Sequence, residues 1–510
     1  MCPILSSPVH ASHQKPLAAC VASILALSAP AMSIAATNWV VANCDDAGPG
    51  SLRETIGAGT TLSGDSVDMT ALSCIVTLTT GEITVPQNSL RIRGGGAEQL
   101  SIDASQLDHG YTGAADSRIF THTGTGTLKI YSLSLVNGHS NHNGAAYPAL
   151  GGCVYSNGSV SLYNSQVLAC SASSQAAKAA GGAIYAKGGV TAKYTLISGS
   201  SASGTRAYGG GVRALGSFLG RYATIDNNSV WSSLVDENDV DTWKYAIGGG
   251  VSARTNVTLL RSTISNNTAN GSFAGIDNQS IVSSSTNSMS VYSSTISGNH
   301  ADRVVGGVYS DAGTVEFFNS TIAFNTAGDM NVGSMTSEFL GPGLALSSLL
   351  NNVSVTLQST LLSDNTYGSS NEFDLTTAFD SSDQLENHVE FNVSPANNFI
   401  RTSLHANPLP DDTIKLGSCA HLGLLRDNGG LTKTHALMSN SPAIDQGNNS
   451  LYDPMDTSTL WVQDQRGLLE DLPPYLYPRE SNGTADIGAF EINQDDTVYV
   501  ANFEGCTILI

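Results

Sequence analysis

The sequence predicts an all-β fold, a right-handed parallel β-helix with a short N-terminal helical cap and a C-terminal capping region. Three observations carry that expectation. In the stretch Val257 to Asn267, apolar Val257 and Leu259 precede Ile264 by seven and five positions, and Asn267 follows it by three. The template returns as Met289/Val291/Ile296/Asn299, Val315/Phe317/Ile322/Asn325 and Val355/Leu357/Leu362/Asn365, with looser copies upstream that put Gly138, Cys170, Ser200 and Asn228 in the Asn slot. Successive anchors are 26 to 40 residues apart, a period range typical of solenoids. A second signature, Gly-Gly-x-[Ile/Val], places Val154, Ile184, Val212 and Val251 six residues before the next strand's first apolar position. The third observation is compositional: 52 Gly and only 13% charged residues suit short strands and tight turns.

Taken in order, residues 1–35 read as a secretory leader. Lys15 precedes a mostly apolar run from Leu17 to Met32, and Ser33 and Ala35 suit cleavage. In residues 36–74, Ser51 and Glu54 form a capping-box pattern opening a short amphipathic helix, and a disulfide between Cys44 and Cys74 is expected to clamp it to the first coil. Six cysteines remain after the leader, and the pairing of Cys153, Cys170, Cys419 and Cys506 stays open. Residues 75–400 are the expected shaft. Its strands keep register while the gap between the Asn slot and the next Gly pair varies, so insertions are expected at that one corner. The helix should be right-handed, because parallel crossovers are. Asn228, Asn267, Asn299, Asn325 and Asn365 are read as a structural ladder, each amide bonding its neighbours one strand spacing away and taking the left-handed backbone of a corner.

Net charge is −21, which disfavours nucleic acid and anionic membranes as partners. No stretch after the leader is apolar enough for a transmembrane helix. An exported, extracellular or cell-surface protein is the expectation.

The paired Gly-Gly-x-[Ile/Val] and Ile-x-x-Asn signals over about Ile75 to Asn398 resemble the repeats of polymorphic outer membrane proteins and related right-handed β-helix proteins, with Ile or Leu where that family has Phe. Asp427-Asn428-Gly429-Gly430-Leu431-Thr432-Lys433-Thr434-His435, Ser441-Pro442-Ala443-Ile444-Asp445-Gln446-Gly447, Asp464-Gln465-Arg466-Gly467 and Asp486-Ile487-Gly488-Ala489-Phe490-Glu491 resemble the choice-of-anchor Q region that ends many secreted bacterial β-helix proteins. The resemblance implies a cell-surface role and assigns residues 401–492 to that region. Residues 493–510 would be a tail with a faint likeness to a short sorting signal. From Ile492 to Ile510 the chain has too few residues for a membrane β-barrel, so self-anchoring by a barrel is not expected.

Chemistry is sparser than fold. The acidic run Asp236-Glu237-Asn238-Asp239-Val240-Asp241 lies in the longest insertion, between Trp231 and Trp243. Asp236, Asn238 and Asp241 alternate as Ca²⁺ ligands would, although the turn Gly and distal Glu of a calcium loop are missing. Trp231 and Trp243 suit stacking on sugar faces. Asp236, Asp239, His300, Asp302 and Arg303 are the catalytic candidates, against the plainer reading of an acidic loop and a polar turn. Asp464, Arg466, Asp486 and Glu491 are read as an ion-paired cap on the last coil. The functional expectation is a binding or adhesion module for an extracellular glycan or cell surface; the alternative is a polysaccharide lyase or hydrolase on the same scaffold.

Overall fold

Strands of the repeated template stack in parallel, coil upon coil, into a right-handed β-helix. The computed structural model describes residues 36–493 apart from 107–117, 142–146, 236–239, 280–286, 329–340, 348–351, 369–370, 379–388, 393–396, 405–408, 410–412, 416–418, 451, 454–455, 461, 469–476 and 480–482. The chain divides into a unit ending at Ala36 and one running from Thr37 to Ile510, and the fold is that of the second.

Each coil contributes strands to three walls around one core. Wall A is a 12-stranded sheet running from Asn38–Val40 to Val389–Phe391. Wall B is a 12-stranded sheet from Ile75–Thr77 to Ile414–Lys415, and wall C an 11-stranded sheet from Ile83–Val85 to Ser403–Leu404. Parallel pairing therefore begins within the span expected to be cap and continues past residue 400. The register follows the sequence template: Val257 pairs with Met289, Leu259 with Val291 and Ile264 with Ile296. Alternation sends Val257, Leu259 and Ile264 inward to full burial, where each contributes about 1.5–3 kcal/mol of hydrophobic stabilisation.

Beyond wall B the chain leaves the core. It forms wall D, a nine-stranded sheet from His139–Asn141 to Asn371–Glu372, and returns through a four-stranded sheet that includes Ala207–Tyr208 and Ala246–Ile247. Between these layers lies a second core made largely of alanine, including Ala172, Ala202, Ala207, Ala246 and Ala269. Small side chains let the two layers approach closely.

The Asn slot turns the chain from wall B into wall D. Asn228, Asn267, Asn299, Asn325 and Asn365 are all fully buried. The Nδ2 of Asn267 donates to Asn299 Oδ1 (2.9 Å) and to Ile225 O (3.0 Å), and the same pattern runs from Asn228 through Asn365. The last step, from Asn365, ends on Asp374 Oδ1 (2.7 Å). One expectation is corrected: the left-handed backbone belongs to the residue before each slot, namely Asn227, Asn266, Gly298, Phe324 and Asp364. The ladder amide needs its backbone N–H aimed at the next amide's oxygen, and the preceding residue supplies the turn that aims it.

The Gly signature has its cause in the same ladder. A Cβ on Gly250 would stand 2.9 Å from Asn267 Nδ2, and one on Gly307 3.1 Å from Asn325 Nδ2. The third position of the Gly motif thus faces the Asn slot across the coil. Where the slot holds Cys170, that position holds Cys153, and the two form a disulfide with Cα atoms 5.5 Å apart. Cys44–Cys74 is bonded too, Cα to Cα 6.4 Å, and Cys419 is disulfide-bonded; Cys506 lies outside the described residues. Near Cys44, helix Leu52–Gly57 starts at Ser51, whose Oγ accepts from Glu54 N–H (3.2 Å) while Glu54 Oε2 accepts from Gly50 N–H (2.7 Å). Its Leu52 and Ile56 are buried in the main core.

Insertions are not confined to one corner. The wall C strand Ile276–Asn278 and the wall A strand Ser288–Tyr292 of one coil are joined by a long connection, so a second corner also takes extra residues. Strand pairing requires register only within the walls, and any corner facing solvent can lengthen.

The segment from Ala420 to Ile492 lies along the flank of wall B, unlike the lid over the final coil that the sequence suggests. Thr263 Oγ1 donates to Lys433 O (2.7 Å), Thr295 Oγ1 to Gln465 Oε1 (2.7 Å), Ala489 N–H to Thr321 Oγ1 (3.0 Å) and Gly488 N–H to Ser359 O (2.9 Å). Outward Thr side chains of successive coils present a regular hydroxyl row that an irregular segment can bond. Leu361, Phe399, Leu422, Leu437, Ile487 and Phe490 close an apolar seam between the two. Asp464, Arg466, Asp486 and Glu491 are buried within this segment. Arg466 pairs with Asp464 (2.7 Å), donates to Glu491 O (2.6 Å) and lies between the rings of Tyr477 and Phe490 at 4.4 and 4.0 Å. Glu491 Oε2 accepts from Asp486 N–H (2.7 Å).

Candidate functional site

The residues singled out by sequence do not converge. Asp236, Asn238 and Asp239 lie outside the described residues; Asp241 and Trp243 fall on the 3-10 helix Val240–Tyr245, and their side chains lie outside what is described. Trp231 is 52% exposed on the wall D strand Ser229–Ser232, beside Ser203 of the preceding coil. His300 and Asp302 meet on the same wall, Nε2 to Oδ1 3.1 Å, and His300 Nδ1 bonds Thr326 Oγ1 at 2.7 Å. Both are exposed, whereas Arg303 is buried, so the three make no joint surface site. A separate polar cluster, in which Ser252 bonds both Arg213 and Asp277, is enclosed in wall C. Burial raises the Asp277 carboxyl and lowers the Arg213 guanidinium to about 10, and the cluster has no opening to solvent.

A cleft lies instead at the corner between walls A and B. Ser132, Asn164, Tyr194 and Tyr222 occupy the corner position with φ of 50° to 53°, where Tyr194 is half-buried and Tyr222 is buried behind it. The corner and the last outward position of wall A together build a row of four tyrosines. Ring centroids are 5.7 Å apart for Tyr131 and Tyr163, 5.4 Å for Tyr163 and Tyr194, edge on, and 4.9 Å for Tyr194 and Tyr222, stacked. Coil spacing sets these distances, since stacked strands hold equivalent rings about 4.8 Å apart.

Tyr194 and Tyr222 form one side of the cleft, whose volume is 560 Å³. Its floor is Gln166, Leu196 and Thr224, three outward positions of wall B in register. The turn Gly96 to Gln99 closes one end and Leu431 of the flanking segment the other. The next residue of the floor column, Thr263, is already bonded to Lys433. The cleft is therefore the part of wall B that the flanking segment leaves open. Gln166 Nε2 donates to Glu98 Oε1, and Ser134 Oγ donates to Gln166 Oε1 at 3.4 Å.

The Tyr194 phenol, backed by the buried Tyr222, beside an amide, hydroxyls and one carboxylate suits a flat ligand with apolar faces and polar edges. Glu98 is the sole carboxylate among the lining residues, and glycoside hydrolysis of the usual kind takes two. Sequence reasoning passed over this site. Its signal was a tyrosine recurring once per coil at Tyr131, Tyr163, Tyr194 and Tyr222, next to the wall A template. The chain matches no family model, no curated protein and no solved structure.

Proposed function

We propose that this protein is an exported binding or adhesion module, a β-helix of the type its repeats resemble, that holds an extracellular glycan in the tyrosine cleft. The observation that carries the reading is the stack of Tyr194 on Tyr222 over a floor of Gln166, Leu196 and Thr224. Pyranose rings offer a C–H face that packs on a phenol and hydroxyl edges that an amide and hydroxyls recognise. Two disulfides among the described residues, and no helix there long and apolar enough to cross a membrane, fit an exported role. Trp231 on wall D is a second candidate stacking residue, on a different face.

The test is a glycan array probed with the full chain, followed by affinity electrophoresis on the glycans retained. Tyr194→Ala should weaken retention by about tenfold, the scale of one aromatic contact, without lowering the melting temperature much. Retention lost with Trp231→Ala instead would move the site to wall D. Release of reducing ends or unsaturated products would overturn the non-enzymatic reading.

A further inference from the structure

The tyrosine row is embedded in a positively charged face, on a protein whose net charge is −21. In wall A, register aligns Arg91 with Lys129 and Arg93 with Tyr131, then Tyr163 with Lys193 and Lys193 with Arg221. Five cations thus fall on four coils, Arg91 and Arg93 on one and Lys129, Lys193 and Arg221 on one each, with the coil of Ser159–Tyr163 carrying none. Their companions in the outward columns are Tyr131, Tyr163, Ser161, Thr191 and Leu219, and from Arg93 until Glu316 those columns contain no acid.

Arg93 lies in register with Asp68 of the preceding coil and helps lower that carboxyl, whereas Arg91, Lys193 and Arg221 lie over the rings. Arg91 lies 5.9 Å from the Tyr131 ring centre, Lys193 5.2 Å from Tyr163 and 5.0 Å from Tyr194, and Arg221 5.8 Å from Tyr222. Among the described residues none of the five is in an ion pair. A protein with 43 acidic and 22 basic side chains has carboxylates to spare, so a face that keeps Arg91, Lys129, Lys193 and Arg221 apart from carboxylates offers them to something else. The overall negative field does not cancel this, because at about 0.15 M salt charges beyond about 8 Å are screened.

We infer that this face, with the cleft beside it, is a track for an acidic glycan, one bearing carboxylate or sulfate groups, lying along the helix axis. The inference rests on the glycan-binding reading above and specifies its ligand. One coil advances about 4.8 Å, close to one residue of an extended glycan, so successive sugars meet successive coils. The rings take the sugar faces, and Lys193 and Arg221 take the anionic groups at the rim. Stacking makes the selectivity a property of the solenoid, with cations and rings contributed by successive coils to the same two outward columns.

The experiment measures binding of the full chain to hyaluronate and its methyl ester, and to dextran sulfate and dextran, at about 0.15 M salt. Affinity for at least one acidic member should exceed that for its neutral counterpart by about tenfold, and Lys193→Gln/Arg221→Gln should bring the two affinities to within about twofold of each other. Which acidic member responds tells carboxylate from sulfate. Lys178→Gln, an exposed cation off this face, should change nothing, and equal melting temperatures establish that the double variant is folded. Equal affinity for charged and neutral forms, with Tyr194→Ala still impairing both, overturns the acidic ligand and leaves glycan binding standing. No retention of any glycan overturns both readings. Oligothymidylate bound as tightly as the acidic glycan, and lost in the same double variant, overturns the glycan in favour of a nucleic acid.

Discussion

Asn299 engages four hydrogen bonds through one buried amide: it accepts from the N–H and Nδ2 of Asn267 and donates to Ile264 O and Asn325 Oδ1. Replacing it by Ala would strand three buried groups at about 1–3 kcal/mol each, so Asn299→Ala should cost about 3–5 kcal/mol, read as a fall in the denaturation midpoint. Asn266 beside it is exposed and left-handed, and Asn266→Gly should change stability by less than about 1 kcal/mol. The ladder ends on Asp374, whose carboxyl burial pushes up to about 6 despite bonds from Asn365 and Thr402. The slot was legible as a column of Asn in the sequence. That it faces the Gly column was not, and neither was the Cys153–Cys170 bond that replaces the contact, because facing across a coil is a property of the closed turn.

At the scale of elements, the flanking segment is pinned to wall B by His435. Its Nδ1 bonds Gly423 O and its Nε2 bonds Ser297 Oγ, each at 2.7 Å, and its ring packs on Phe324. A carbonyl only accepts, so Nδ1 carries the proton and Nε2 receives the Ser297 hydroxyl. Burial lowers this imidazole to about 4 from 6.5. The unfolded chain then binds a proton that the folded chain does not over pH 6.5 to 4, and stability falls as pH drops through that window, by up to about 3 kcal/mol at its lower end. Asp486 opposes this. Burial raises it to about 6, so its own contribution improves as pH falls from about 6 toward 3.8. The difference between wild type and His435→Gln isolates the first effect: the wild-type advantage in melting temperature at pH 7 should shrink steadily toward pH 4.5. A pH-independent difference would rule the histidine out as its source. The sequence signalled this segment through its Gly-rich motifs. Its place on the flank depends on a row of outward hydroxyls, Thr263, Thr295, Ser297 and Thr321, that reads in the sequence as ordinary solvent-facing strand residues.

For the whole molecule, a solenoid coil contacts only its neighbours and local opening from the ends is the default. The flanking segment changes that for the coils it spans, from Arg261 to Ser359, which it ties together with Thr432, Gln465, Gly467 and Gly488. Hydrogen exchange should therefore be slowest in strands Val257–Leu260, Thr263–Ser265, Thr295–Ser297 and Thr321–Ala323, and faster in Gln166–Leu168, Leu196–Ser198 and Thr224–Asp226, which floor the open cleft. Uniform protection along the shaft would show that the flank adds no stability. The same division separates a covered wall, tied by the flanking segment, from an uncovered wall that carries the cleft of the proposed function.

By itself the sequence determined the β-helix, the strand register, the Asn and Gly columns and the Cys44–Cys74 clamp, since these follow from periodicity and from residues near in the chain. Only the tertiary structure decided which columns face each other, where the segment after Ala420 lies, and that four tyrosines from four coils make one row. The physical reason is the period itself. It dictates what recurs on each coil, but contact between coils, and the gap left where a distant segment stops, arise only when the coils are stacked and closed.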